Sequence, residues 1–168
     1  IQLQLCQAIF LFLCLALSPG LLAADRTIGV YVALADNEHQ GIVPVPKAIG
    51  NGDDPEQNLY WGTAEGLKGC FDKSKSWKLV DKTDPTGKPG ILRIRTYRHA
   101  VTNVVLVAMA YKGTAIKQCI QDFEAAVQAG SYDLVVYVGH NGLMDFDLPE
   151  VKVATTTNKT DCIVLCCR

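Results

Sequence analysis

The strongest constraint on this chain is a set of apolar runs too continuous for a sheet with one wet face. The first is Thr27-Ile28-Gly29-Val30-Tyr31-Val32-Ala33-Leu34. Near-continuous apolar character predicts a strand buried on both faces, as in a parallel sheet. Val104-Val105-Leu106-Val107-Ala108-Met109-Ala110, Leu134-Val135-Val136-Tyr137-Val138 and Cys162-Ile163-Val164-Leu165 are further strand candidates.

Helical segments fall between them. Ile116, Ile120, Phe123, Ala126 and Val127 lie at helical spacing, with Gly113-Thr114 at the start and Ala129-Gly130 at the stop. An earlier helix is expected to open at Asp54-Pro55, where Asp can cap and Pro fits the first turn. Leu59, Leu67, Cys70 and Phe71 form its apolar stripe, and it ends near Lys73-Ser74. Gly62, Gly66 and Gly69 are costly inside a helix unless close packing requires them. Residues 77–80 predict a further strand, and residues 84–90 a turn cluster. Ile91-Leu92-Arg93-Ile94-Arg95-Thr96 alternates apolar with basic, which predicts a strand with one wet face.

Strands alternating with helices predict an α/β fold, specifically a three-layer α/β/α sandwich with a mostly parallel sheet. At 168 residues the chain suits one globular domain, placed at residues 25–168. Residues 1–24 stand apart. An apolar run over residues 8–17 is followed by Ser18-Pro19-Gly20, and Leu22-Ala23-Ala24 precedes Asp25-Arg26. That is the pattern of a secretory signal peptide. The expected protein is therefore secreted or periplasmic, with no membrane association after cleavage. The sequence reads as clipped at both ends, since an initiator Met and a basic leader are missing and the last strand has no covering helix. A net charge of −1 gives no reason to expect nucleic acid.

Cys70, Cys119, Cys162, Cys166 and Cys167 remain after residue 24, an odd number that leaves at least one thiol unpaired within the chain. Cys70 and Cys119 read as buried helix residues. Without a CxxC pair a structural zinc site is not expected, and no cofactor is implied. Asn158-Lys159-Thr160 is a glycosylation sequon, meaningful only in a eukaryotic secretory pathway.

The chemistry gathers at two strand ends. One apolar run leads into Gly139-His140-Asn141-Gly142 and another into Cys166-Cys167-Arg168. Parallel α/β sheets place their reactive groups at the carboxyl ends of strands. If the two strands are neighbours, an imidazole stands beside a thiol, the minimum for a cysteine nucleophile with its base.

Both blocks resemble the caspase-like fold of cysteine peptidases, which includes caspases, legumains, gingipains and clostripains. There one strand ends in His followed by Gly, and the next core strand ends in Ala-Cys. The resemblance implies a cysteine hydrolase, a peptidase acting on peptide or protein, and the signal-peptide pattern implies that it is exported. It implies His140 as base, Cys167 as nucleophile with Cys166 in the small-residue place, and an oxyanion hole at Asn141 and Gly142. The substrate-pocket segments that follow the cysteine in that family are absent from this sequence. The His-to-Cys interval, 167 − 140 = 27 residues, is shorter than the roughly 50 of caspases. Other segments, including Gly50-Asn51-Gly52-Asp53-Asp54-Pro55, resemble exported bacterial proteins of unassigned function.

A second candidate site follows the first strand. Asp36, Glu38 and Asp53 leave the same sheet edge and could form an electronegative substrate pocket favouring a basic residue, a calcium site, or a solvated loop. His39 and His99 have no partner legible in the sequence. Two other readings stand beside the hydrolase: a catalytically inactive exported α/β binding domain with structural cysteines, and a thiol redox protein using Cys166 and Cys167. The redox reading is handicapped by the strain of a vicinal disulfide.

Overall fold

The computed structural model describes residues 24–149 and 159–166, with the backbone of Cys167. The signal-peptide segment up to residue 23 and the sequon at Asn158 lie outside the described residues.

Among the described residues the fold is α/β: a mixed six-stranded sheet and two α-helices. The strands are β1 (Arg26–Ala33), β2 (Trp77–Thr83), β3 (Ile91–His99), β4 (Val104–Tyr111), β5 (Leu134–His140) and β6 (Asp161–Cys167). Helix α1 spans Leu67–Lys73 and α2 spans Ile116–Ala129. The sheet order is β2-β3-β4-β1-β5-β6. β4, β1, β5 and β6 run parallel, and β3 and β2 are added antiparallel. The most continuous apolar run thus takes the central place, where both of its faces are covered.

Alternate residues of β1 feed two cores. Tyr31 and Ala33 meet α2 through Ile116, Cys119, Ile120, Phe123 and Ala126. Val30, Val32 and the following Leu34 meet Trp61 and Tyr97 on the other side, with Leu67 and Phe71 of α1 packed against them. Each large side chain buried this way contributes roughly 1.5–3 kcal/mol. Helix α2 matches its expected stripe and ends at Gly130, whose left-handed φ of 62° lets its N–H reach the carbonyls of Ala126 and Val127.

Three expectations are corrected. No helix opens at Asp54-Pro55: residues 54–66 form successive turns, and only Leu67–Lys73 is helical. The glycines explain why. A Cβ on Gly62 would strike the Glu56 carbonyl oxygen, and one on Gly66 would lie 2.6 Å from the Trp61 carbonyl. The glycines let the chain fold back tightly on itself and deliver Trp61, fully buried, to the sheet. β3 has no wet basic face. Arg95 is 6% exposed, and Asp84 binds both Arg93 (2.8 Å) and Arg95 (3.1 Å). Cys70, expected to be buried, is exposed, whereas Cys119 is buried as expected.

Candidate functional site at the carboxyl ends of the parallel strands

Because β4, β1, β5 and β6 share a direction, Tyr111, Ala33, His140 and Cys167 arrive at one edge of the sheet. The register fixes their heights: Ala33 pairs with Tyr111, Val32 with Val138, and His140 with Cys167. The two strands expected to carry the chemistry are therefore adjacent, and the two residues singled out on them are register partners.

His140 is 3% exposed. Its Nε2 lies 2.8 Å from Asp145 Oδ2, and its carbonyl accepts the Tyr137 hydroxyl at 2.7 Å. Asp145 comes back to the histidine through a 3-10 turn, Gly142–Met144. Within it, Met144 N–H donates to the Asn141 carbonyl, and Asp145 and Phe146 N–H donate to that of Gly142. Gly142 lets the Phe146 ring pack closely on the turn, since a Cβ there would sit 2.7 Å from the ring's far edge. The same Asp145 Oδ2 accepts Gly41 N–H at 3.2 Å, tying the loop after β1 to the end of β5. Asn141 and Gly142, the expected oxyanion segment, thus lie on the hydrogen-bonded turn that joins His140 to its carboxylate.

Asp145 was not singled out from sequence. The available signal was an acidic residue five positions after a strand-end histidine, with a glycine turn between them. A carboxylate on one ring nitrogen fixes the tautomer: with Asp145 accepting at Nε2, that atom carries the proton and Nδ1 is the basic nitrogen.

On the neighbouring strand, Cys166 is an exposed free thiol in register with Gly139. Cys70, Cys119 and Cys162 are also free. Burial pushes the Cys119 thiol well above its ordinary pKa, with Asp122 adding to the effect, so it is inert at neutral pH.

Asp36, Glu38 and Asp53 do line one cavity, of about 280 Å³, together with His39, Lys47 and Asn51. Asp36 is buried and heavily committed. Its Oδ1 accepts the N–H groups of Glu38 (3.0 Å) and His39 (3.2 Å), and its Oδ2 meets His39 Nδ1 at 3.0 Å. Gly52 and Gly113 press so close that a Cβ on either would strike its carboxylate. Gln40 locks the loop by donating to the carbonyls of Leu34 (2.9 Å) and Gly113 (3.0 Å). Asp53 pairs with Lys112 at 3.4 Å. Asp36 is therefore taken up by hydrogen bonds within its own loop, and Asp53 is paired with Lys112. His39 finds its partner in Asp36 and His99 in Thr102, at 2.8 Å. Among the described residues no group of three metal-ligating side chains is arranged to hold a metal ion.

No protein-family model, curated protein or solved structure matches this chain. The functional reading therefore rests on the strand ends themselves.

Proposed function

We propose that this chain is an exported caspase-like cysteine hydrolase, a peptidase, with His140 as base and Cys167 as nucleophile. The observation that carries the reading is the register of β5 on β6, which pairs His140 with Cys167. A carboxylate already bound to the imidazole supports it, because a base held by a third group is the arrangement that activates a nucleophile. In this mechanism the Cys167 thiol gives its proton to His140 Nδ1 and the thiolate attacks the substrate carbonyl. Backbone N–H groups of the segment at Asn141 and Gly142 receive the oxyanion. The imidazolium then protonates the leaving amine, and water releases the acyl group with His140 again as base.

The matching fold assignment is a three-layer α/β/α sandwich. Two cores on opposite sides of β1, each with a helix against it, support it. Export follows from the signal-peptide pattern of residues 1–24 and places the protein outside the cytoplasm, where oxidation of the thiol competes with catalysis.

The test is alkylation of the full-length protein by iodoacetamide at neutral pH, read at Cys167 by mass spectrometry. Replacing His140 with Ala is expected to slow that labelling about tenfold, as the thiolate fraction falls to that of an ordinary cysteine. Labelling of Cys167 that ignores the substitution would remove the dyad.

One observation favours a second reading. His140 is almost completely buried, and Asp145 joins it to Gly41 N–H, so the group also braces two loops. In a non-enzymatic binding domain of this fold, His140→Ala would lower stability and leave cysteine reactivity unchanged.

A further inference from the structure

A groove of about 530 Å³ runs along α2 on the side away from β5. Its floor is Tyr31 of β1 with Met109 and Tyr111 of β4, and Asp122 and Ala126 of α2 form one wall. Tyr132 closes one end, its ring packed so tightly on Gly29 that a Cβ there would lie 2.6 Å from it. The described lining includes no residue of β5 or β6, so the groove is separate from the strand ends of His140 and Cys167. The floor is buried, with Tyr31 6%, Met109 8% and Tyr111 1% exposed. Its polar groups are nevertheless not all used. Tyr111 donates its hydroxyl to Asp122 Oδ2 at 2.9 Å. Asp122 Oδ1 and the hydroxyls of Tyr31 and Tyr132 have no hydrogen-bond partner among the described residues. Burial is the main cause that raises the Tyr31 pKa, and Tyr132 and Asp122 add to it, so the three groups stand near one another. Apolar walls with a few convergent polar groups, at a size inside the roughly 300–1,000 Å³ of small-molecule sites, mark a ligand pocket.

The unused groups select the ligand. An ionised carboxylate only accepts hydrogen bonds, and a phenol hydroxyl can accept as well as donate. An ammonium offers three donors and no acceptor, so it matches Asp122 Oδ1 and the two hydroxyls together. A carboxylate ligand would meet Asp122 at like charge. The other charged residue of the lining, Lys88, is exposed and can carry its amine out to water. The rest of the ligand meets tyrosine rings, Met109 and Ala126, which suits a flat apolar body. We infer that this groove binds a small organic amine with an aromatic body, its ammonium held by Asp122 and by the Tyr31 and Tyr132 hydroxyls. Such a site is independent of the His140–Cys167 pair.

The test is NMR of isotope-labelled methionine methyls in the full-length protein. The sequence holds two methionines, Met109 on the groove floor and Met144 outside the lining. Tryptamine, tryptophol and indolepropionate share one ring system and differ in carrying an amine, an alcohol or an acid. Tryptamine is expected to shift the Met109 methyl and leave that of Met144 in place. It should bind about tenfold tighter than tryptophol, the scale of a hydrogen bond to a charged group. Indolepropionate should bind more weakly than tryptophol. Asp122→Asn keeps the shape of the side chain and should erase the amine's advantage over the alcohol. Tyr31→Phe should weaken tryptamine severalfold. Equal affinities for amine and alcohol, a preference for the acid, or a shift confined to Met144 overturn the inference. So does an amine advantage that survives Asp122→Asn intact. The three ligands on the unsubstituted protein decide the matter by themselves, so a variant that failed to fold would not leave it untested.

Discussion

At the scale of single residues, Asp145 is the side chain on which most depends. Its carboxylate takes His140 Nε2 at 2.8 Å and Gly41 N–H at 3.2 Å. Replacing Asp145 with Ala leaves a buried imidazole nitrogen without its partner, which costs about 1–3 kcal/mol. The expected result is a lower urea midpoint, by that free energy divided by the m-value, and slower alkylation of Cys167, because the tautomer is no longer fixed. An unchanged midpoint would show that the contact contributes nothing to stability. Asp145 also shows where sequence reading stops. His140 could be singled out because it ends an apolar run. Asp145 lies in a polar loop, and only the 3-10 turn brings it back. Asp36 and His39 are three positions apart in sequence, yet their pairing depends on Gly52 and Gly113 closing around the carboxylate. Spacing along the chain does not carry that information.

At the scale of elements, strands were legible wherever burial on both faces made the sequence uniformly apolar. β1, β4, β5 and β6 were located to within a few residues for that reason. Segments whose shape is set by other parts of the chain were not. Residues 54–66 carry a capping residue, a proline and an apolar stripe, yet they turn, because Gly62 and Gly66 allow a close backbone approach that a helix would prevent. A direct consequence concerns Gly66. A Cβ there would stand 2.6 Å from the Trp61 carbonyl carbon and oxygen, and backbone yields poorly. Gly66→Ala is expected to lower stability by about 1–3 kcal/mol, the usual cost of overpacking. A urea midpoint equal to the parent's at the same m-value would contradict it. β3 failed as a half-wet strand for a similar reason. Arg95 looks like a solvent-facing residue in the sequence, but Asp84 reaches over from the turn before the strand and pairs with it at 3.1 Å.

At the scale of the whole molecule, the sheet is fastened at the end opposite the candidate site. Asp133 Oδ2 accepts Thr27 N–H at 2.6 Å and the Thr27 hydroxyl at 3.1 Å, joining the start of β1 to the loop before β5. The Thr27 backbone hydrogen bond is the main cause that holds the Asp133 carboxyl below its ordinary pKa. A depressed carboxyl pKa in the folded state stabilises the protein above the unfolded value of 3.8 and is lost as pH falls through the folded value. Asp133→Asn should therefore reduce the fall in urea midpoint between neutral pH and pH 3, and an identical fall would remove this group from the acid response. Support is uneven across the sheet as well. β1, β4 and β5 are interior, with Val32, Ala33, Ala108, Ala110 and Val135 at 0% exposure. Every described side chain of β6, residues 161–166, is exposed, as are residues 78–83 of β2. Local opening follows such differences, so amides of β1, β4 and β5 should exchange last, and those of β2 and β6 well before them. The proposed nucleophile thus sits on the least supported parallel strand, while its base sits on one of the best supported. Catalysis then requires β6 to be held in register with β5 for long enough to form the pair. Native-state hydrogen exchange tests this directly. If amides of residues 161–167 are protected as strongly as those of 134–140, something covers β6 in solution and the strand is not an open edge. If they exchange early, and a peptide chloromethyl ketone at the cysteine slows them, substrate binding itself supplies the missing support.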